Sequence, residues 1–220
     1  MRAAATVVDA SGLELRAVSA RVKEMVGRKR VIVKNATHLH GLAGGLKGGE
    51  VVIDGDSGDY LGVLNAGATI WVRRNAGRFV ADNMTAGTVI VEGDAPYGAA
   101  MYCYGGTVVI RGNAGDFSAT MNKGATILIA GNAGDEVATY MLAGDVVIVG
   151  NAGHNLANYL IRGTVYVGGE IASLGHNTQL APLTEADRAK LRHYFEEYRI
   201  KAEPERFKKV VAKSTKPFYA

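Results

Sequence analysis

Apolar and polar positions between residues 51 and 175 recur at a fixed period of 19 residues. An apolar triplet opens at Val51, Ile70, Val89, Val108, Ile127, Val146 and Val165, each 19 after the last. A second column, just past the triplet, reads Asp56, Asn75, Asp94, Asn113, Asn132 and Asn151. A third reads Gly58, Gly77, Pro96, Gly115, Gly134 and Gly153, and a fourth, uniformly small, reads Gly62, Ala81, Ala100, Ala119, Ala138 and Ala157. Self-similarity at such a period is the mark of a solenoid. Three β-branched residues between turn signals read as a short buried strand, and about one such strand per side of each coil makes a β-helix. Leucine is too sparse for leucine-rich repeats, and two-helix repeats run longer.

The columns have physical reasons. Stacked coils lie about 4.8 Å apart, so each residue rests on its equivalent one turn away. Asn and Asp suit a tight turn because their side chains bond local backbone and tolerate left-handed geometry. Stacked amides can also bond one another along the axis. The small fourth column implies a corner where backbone approaches backbone. Seven stacked triplets give a rod about 30 Å long whose open ends need covers.

The flanks supply candidates. Residues 3–8 read as an edge strand, and Leu15, Val18, Val22, Met25 and Val26 form an amphipathic helical stripe that Gly27 can stop. Val31–Val33 reads as an irregular first turn. Beyond Gly175, Thr184 caps a helix whose stripe is Leu191, Tyr194, Phe195 and Tyr198, with Phe207, Val210 and Val211 continuing it after Pro204. The organisation is therefore 1–30, strand and capping helix; 31–175, β-helix; and 176–220, a helix and tail that cover the last coil or dock on a partner.

Composition narrows the function. The net charge of +4 equals the surplus of ten basic over six acidic residues from His176 onward, while residues 35–175 hold seven basic and twelve acidic ones. A mildly acidic rod with basic ends is a poor nucleic-acid groove. With no long apolar run and no leader-like start, the chain reads as cytoplasmic, with no membrane association. Cys103 shares a coil column with Met84 and Met141 and reads as packing.

Candidate chemistry is thin. His38 and His40 could offer metal ligands from one strand face, and His154 occupies a turn elsewhere held by Asp59, Arg78, Asp116 or Asp135. The glycine strings at 41–49 and 112–115 lack a following helix and so are neither phosphate loops nor a dinucleotide fingerprint. Much of the Asp/Asn column is neutral, which disfavours calcium. The one break in pattern, residues 94–106, replaces a column glycine with Pro96 and crowds Tyr97, Tyr102 and Tyr104 into one coil, a candidate partner-contact face.

The recurring Gly-Asn-Ala-Gly turn, the glycine-closed coils and the exit Gly169-Glu170-Ile171-Ala172-Ser173-Leu174-Gly175 resemble the GXGXG domain of glutamate synthases. That resemblance implies a single-stranded right-handed parallel β-helix with a helical N-terminal cap and C-terminal tail. It also implies no catalytic, cofactor or metal residues in this chain. The residues agree: position 2 holds Arg2 rather than a cysteine nucleophile, and there is no cysteine set for an iron–sulfur cluster. As a stand-alone subunit it would belong to a split glutamate synthase-like complex, N-methylglutamate synthase among them. Its partners would be a class II glutamine amidotransferase-like subunit and an FMN-binding glutamate synthase-like subunit. Related β-helices in formylmethanofuran dehydrogenase are an alternative. Self-sufficient hexapeptide-repeat enzymes, such as acyltransferases or carbonic anhydrases, repeat at 18 per coil and fit less well.

Overall fold

The apolar triplets become strands because β-branched residues favour extended backbone and the first and third residue of each are buried in the solenoid core. The computed structural model describes residues 5–218. Its elements begin with β1 (Ala5–Asp9), α1 (Leu15–Met25), β2 (Arg30–Lys34), β3 (Glu50–Asp54) and β4 (Ala66–Val72). There follow β5 (Ala86–Val91), β6 (Thr107–Ile110), β7 (Lys123–Ile129), β8 (Ala143–Ile148) and β9 (Thr164–Val167). The chain closes with β10 (Thr178–Ala181), α2 (Glu185–Tyr198), a 3-10 turn (Pro204–Arg206) and β11 (Lys208–Ala212).

All eleven strands form one sheet in the order β1 to β9, then β11 and β10. β1 to β9 run parallel in a solenoid, and the 19-residue register holds from Val51↔Ile70 through Val146↔Val165. Val31 pairs with Val51, so the first coil carries one extra residue, as its irregular spacing predicts.

Only one side of each coil is a full strand. The second side narrows to single bridges joining Ala95, Ala114, Ala133, Ala152 and Ile171. The third is an arch with left-handed residues at every second position, for example Phe117, Ala119 and Met121 at φ 58°, 60° and 52°. Left-handed backbone costs an L-residue about 1–2 kcal/mol. Coil-to-coil hydrogen bonds offset it: Phe117 N–H donates to Asp135 O, Ala119 N–H to Ala99 O, and Met121 N–H to Thr139 O. The small fourth column is the middle of this arch, buried and left-handed, so it marks a tight corner for a more specific reason than close backbone approach.

The Asp/Asn column forms a directed ladder. The side-chain oxygen of each member accepts the backbone N–H of the equivalent residue one coil on, from Asp56←Asn75 at 2.9 Å to Asn151←Glu170 at 2.8 Å. Amide-to-amide bonding is not what joins the rungs. Only an acceptor oxygen is needed, which is why Asp and Asn interchange.

Both ends are covered. α1 buries Val18 and Val22 against the first coils, and β1 extends the stack beyond β2; residues 3–4 of the expected edge strand lie outside the described range. At the other end the tail, rather than the helix, meets the open edge of the last coil. β11 runs antiparallel between β9 and β10, placing Val210 opposite Val165. α2 lies on the flank. Pro204 and the left-handed Arg199 break helical continuation, and the β-branched Val210–Val211 pair suits the open edge of β9 better.

Asn132→Asp retains the ladder acceptor and should melt near the wild type. Asn132→Ala strands the Asn151 N–H and should lose about 1 kcal/mol, read by denaturant unfolding.

Candidate interaction surface

The arch stacks its side chains outward as well as its backbone. Tyr60 and Phe79 stack with centroids 4.8 Å apart, Phe79 meets Tyr97 edge-on at 5.5 Å, and Tyr97 meets Phe117 at 5.7 Å. Tyr60, Phe79 and Phe117 share one column, whose member in the irregular coil is Gly98. A Cβ at Gly98 would lie 2.7 Å from the Phe79 ring, and Tyr97, one residue earlier, supplies the missing aromatic from the side. The Pro96 irregularity thus keeps an aromatic rail continuous.

Tyr102 and Tyr104 belong to a different group. Lys123 Nζ sits 4.0 Å from the Tyr104 ring centre and 5.8 Å from that of Tyr102, and donates to Tyr104 Oη at 2.8 Å. The structure therefore joins Tyr102 with Tyr104 through Lys123, and places Tyr97 in the Phe79–Phe117 stack. Two more arch tyrosines went unnoticed in the sequence. Tyr140 and Tyr159 stack at 5.2 Å, and Phe218 packs 5.3 Å from Tyr159. Their signal was available, since both stand in phase with Tyr102.

The histidines do not converge within the chain. His38 Nε2 is 3.0 Å from Leu13 O, and His40 Nδ1 accepts the Asp59 N–H at 3.0 Å. His154 occupies the same column as His40 six coils away, about 29 Å along the stack. Among the described residues no three His, Cys, Asp or Glu side chains are grouped to hold a metal. Cys103 is buried in the core, between Met84 and Asn122 in its column, and burial pushes its thiol up to about 12.

The same core column hides two polar members, Asn65 and Asn122, both fully buried. Asn122 bonds Ala125 at both its N–H and C=O, each at 2.9 Å, and Asn65 treats Ala68 alike. In these two coils a side-chain amide closes the turn that sulfur or Leu160 fills elsewhere.

On the opposite flank, the middle residue of each triplet points away from the solenoid core. Val109, Leu128, Val147 and Tyr166 form a second apolar cluster with Leu191, Phe195, Ile200 and Phe207. α2 runs along this row: Asp187 meets Tyr166, Lys190 and Tyr194 meet Asp145, and Tyr198 lies against Thr107. A helical turn of about 5.4 Å nearly matches a coil spacing of about 4.8 Å, so each turn of α2 sits on one coil. Burial pushes the Tyr194 hydroxyl up to about 12.

Asp187 latches the helix. It closes a capping box with Thr184, accepts the Tyr166 hydroxyl at 2.6 Å, and pairs with Lys209 Nζ at 2.8 Å. Desolvation pushes its carboxyl upward, but Lys209, Thr184 and Tyr166 outweigh it and hold the group well below the usual carboxylate range.

These features define a parallel β-solenoid with a helix latched to one flank and an aromatic rail along an arch. The family model described as the GXGXG motif matches residues 95–218, more than half of the chain, and the protein belongs to that family. No curated protein matches it. The matched segment takes in the irregular tyrosine coil, four later triplets and the whole C-terminal latch.

Because the folded carboxyl of Asp187 titrates below its unfolded value, it stabilises the protein above about pH 4. That contribution should disappear as pH falls further. Asp187→Asn should lower stability at pH 7 by about 3 kcal/mol by stranding Lys209 and flatten the acid dependence, measured by melting between pH 2 and 7. The Cys103 thiol should resist aromatic disulfide reagents in the native protein and react on unfolding.

Proposed function

We propose that this chain is a non-catalytic scaffold subunit of a glutamate synthase-like complex. It holds an amidotransferase-like subunit and an FMN-binding subunit in register. The observation that carries the reading is the GXGXG match, which spans coils and C-terminal tail together and is consistent with a glutamate synthase-related subunit. The geometry supports it physically. A solenoid in which every coil bonds both neighbours is stiff along its axis, so two partners bound to it keep a fixed separation.

The resemblance noted in the sequence favours N-methylglutamate synthase, which converts methylamine and glutamate to N-methylglutamate and ammonia. In that assembly the flavin would reside in a partner, and the rod would wall the passage of a small amine between sites. The arch is the contact face in this reading, since Tyr60 and Tyr104 are 41% and 55% exposed and tyrosine anchors interfaces.

Native purification of the tagged chain should bring down an amidotransferase-like chain and a yellow, FMN-bearing chain. The eluate should form N-methylglutamate from methylamine and glutamate; glutamate formation from glutamine would instead mark a glutamate synthase proper. A colourless homotrimer containing zinc would overturn the scaffold reading. Replacing Tyr97, Tyr102 and Tyr104 together with alanine should weaken assembly at least about tenfold; unchanged assembly and activity would remove the arch as the contact face.

A further inference from the structure

The outward row that α2 covers does not end where α2 ends. Its residues continue in strict register through Ile90, Trp71, Val52 and Ile32 to Val7 at the far end. Val109 to Tyr166 are fully buried under the helix, whereas Ile90, Trp71 and Ile32 are partly open and Val7 is 55% exposed. α2 stops short because Arg199 adopts a left-handed cap and the Ile200 N–H turns back onto Phe195 O. Beyond α2 the stripe is covered only in part: the end of the helix reaches Ile90 and Val52 is buried among its neighbours, while Trp71, Ile32 and Val7 stay open.

The stripe lies in a groove. One cleft of about 480 Å³ is bounded by Thr69, Trp71, Thr88 and Ile90, with the end of α2 closing it. A second of about 390 Å³ opens on the other side of Trp71, beside Val52, Arg73 and Glu92. The rail along one edge continues the column that holds α2. Under the helix, Asp145 of that column binds Lys190 and Tyr194; in the open coils the equivalents are Thr69 and Thr88. Along the other edge charges alternate: Lys34–Asp54 at 3.8 Å, Asp54–Arg73 at 3.0 Å, Glu92–Arg111 at 3.1 Å. Under α2 that edge becomes Ala130, Val149 and Gly168.

We propose that this open groove holds an amphipathic helix of a partner subunit, laid end to end with α2. From β2 to β5 the face offers no free backbone donors or acceptors, because each of these strands is already paired on both sides; the open edge of β1 lies at the end of the sheet and not on this face, so strand addition is closed to the groove. A helix is the element that α2 shows to fit, one turn per coil. The occupant carries apolar residues at spacings of three and four and mixed charges on its flank, to meet the alternating rail. Trp71, between the two clefts, is the anchor. Only the identity of the partner rests on the scaffold reading; the groove and its occupant's shape do not.

The test places a photo-crosslinking benzoylphenylalanine at Thr69 or Thr88 of the tagged full chain in its source cell, followed by purification and mass spectrometry. Support is crosslinking to one segment of another chain, at residues three or four apart. Crosslinks confined to a second copy of this chain, or spread at every second residue of an extended segment, would overturn the proposal. So would the absence of crosslinks when the amidotransferase-like and FMN-bearing chains co-elute, an outcome that leaves the scaffold reading standing. A helical crosslink to a chain of some other kind would keep the groove and sink the scaffold reading. Trp71→Glu should reduce retention of the crosslinked partner about thirtyfold. Trp71→Ala serves as the milder variant if the first unfolds. Undiminished retention with a native melting profile in either variant would count against the groove.

Discussion

Everything in this molecule depends on the hydrogen bonding of each coil to the coils before and after it. Once residue i must pair with residue i ± 19, no side chain has a private environment. Its neighbours above and below are its own equivalents, so any chemical solution found at one position must be repeated or deliberately varied down the column. The Asp/Asn ladder is the plainest case, with one acceptor oxygen per coil each serving the next coil's N–H. The arch follows the same constraint at greater local cost, holding alanine, phenylalanine and tyrosine in left-handed backbone that isolated chains avoid.

That dependence explains what could be read from sequence. Periodicity alone exposed strands β3 to β9, the coil count and the turn column, because a column is visible wherever its members share chemistry; β10 and β11 lie outside the repeat and left no such trace. It was blind where members differ. Asn65 and Asn122 share a column with Met84, Cys103 and Met141, and nothing in an alternation of amide and sulfur announces that the amides close a backbone turn. The placement of α2 was missed for another reason. Its apolar stripe was legible, but the surface it covers is the middle residue of each triplet, and a triplet buried on both faces does not reveal which neighbour buries it. For the site, the tyrosine coil was found by its irregularity. Its division between the Phe79–Phe117 stack and the Lys123 cluster depends on which side of the arch each ring faces, and that is fixed by left-handed backbone geometry rather than by composition.

The two flanks divide the work of the rod. One presents aromatic side chains from a backbone that cannot move without breaking bonds to both adjoining coils. The other is a packing surface, half occupied by the chain's own helix and locked by the Asp187–Lys209–Tyr166 group. Stiffness along the axis comes from the coils themselves; the helix adds a splint to the C-terminal half only.

The near-match between α2 and the coils also limits it. A helix climbs about 5.4 Å per turn and the solenoid about 4.8 Å per coil, so the two scales behave as a vernier. Each successive turn falls about 0.6 Å further out of step, and after four coils the lag is about half a coil. At that point a side chain that should fill the hollow between two outward residues would instead ride over one of them. The left-handed Arg199 ends α2 at about this distance. A single helix long enough to span the whole rod would pack well at one end and badly at the other. A surface of this kind is therefore best covered in short lengths, each starting its own count.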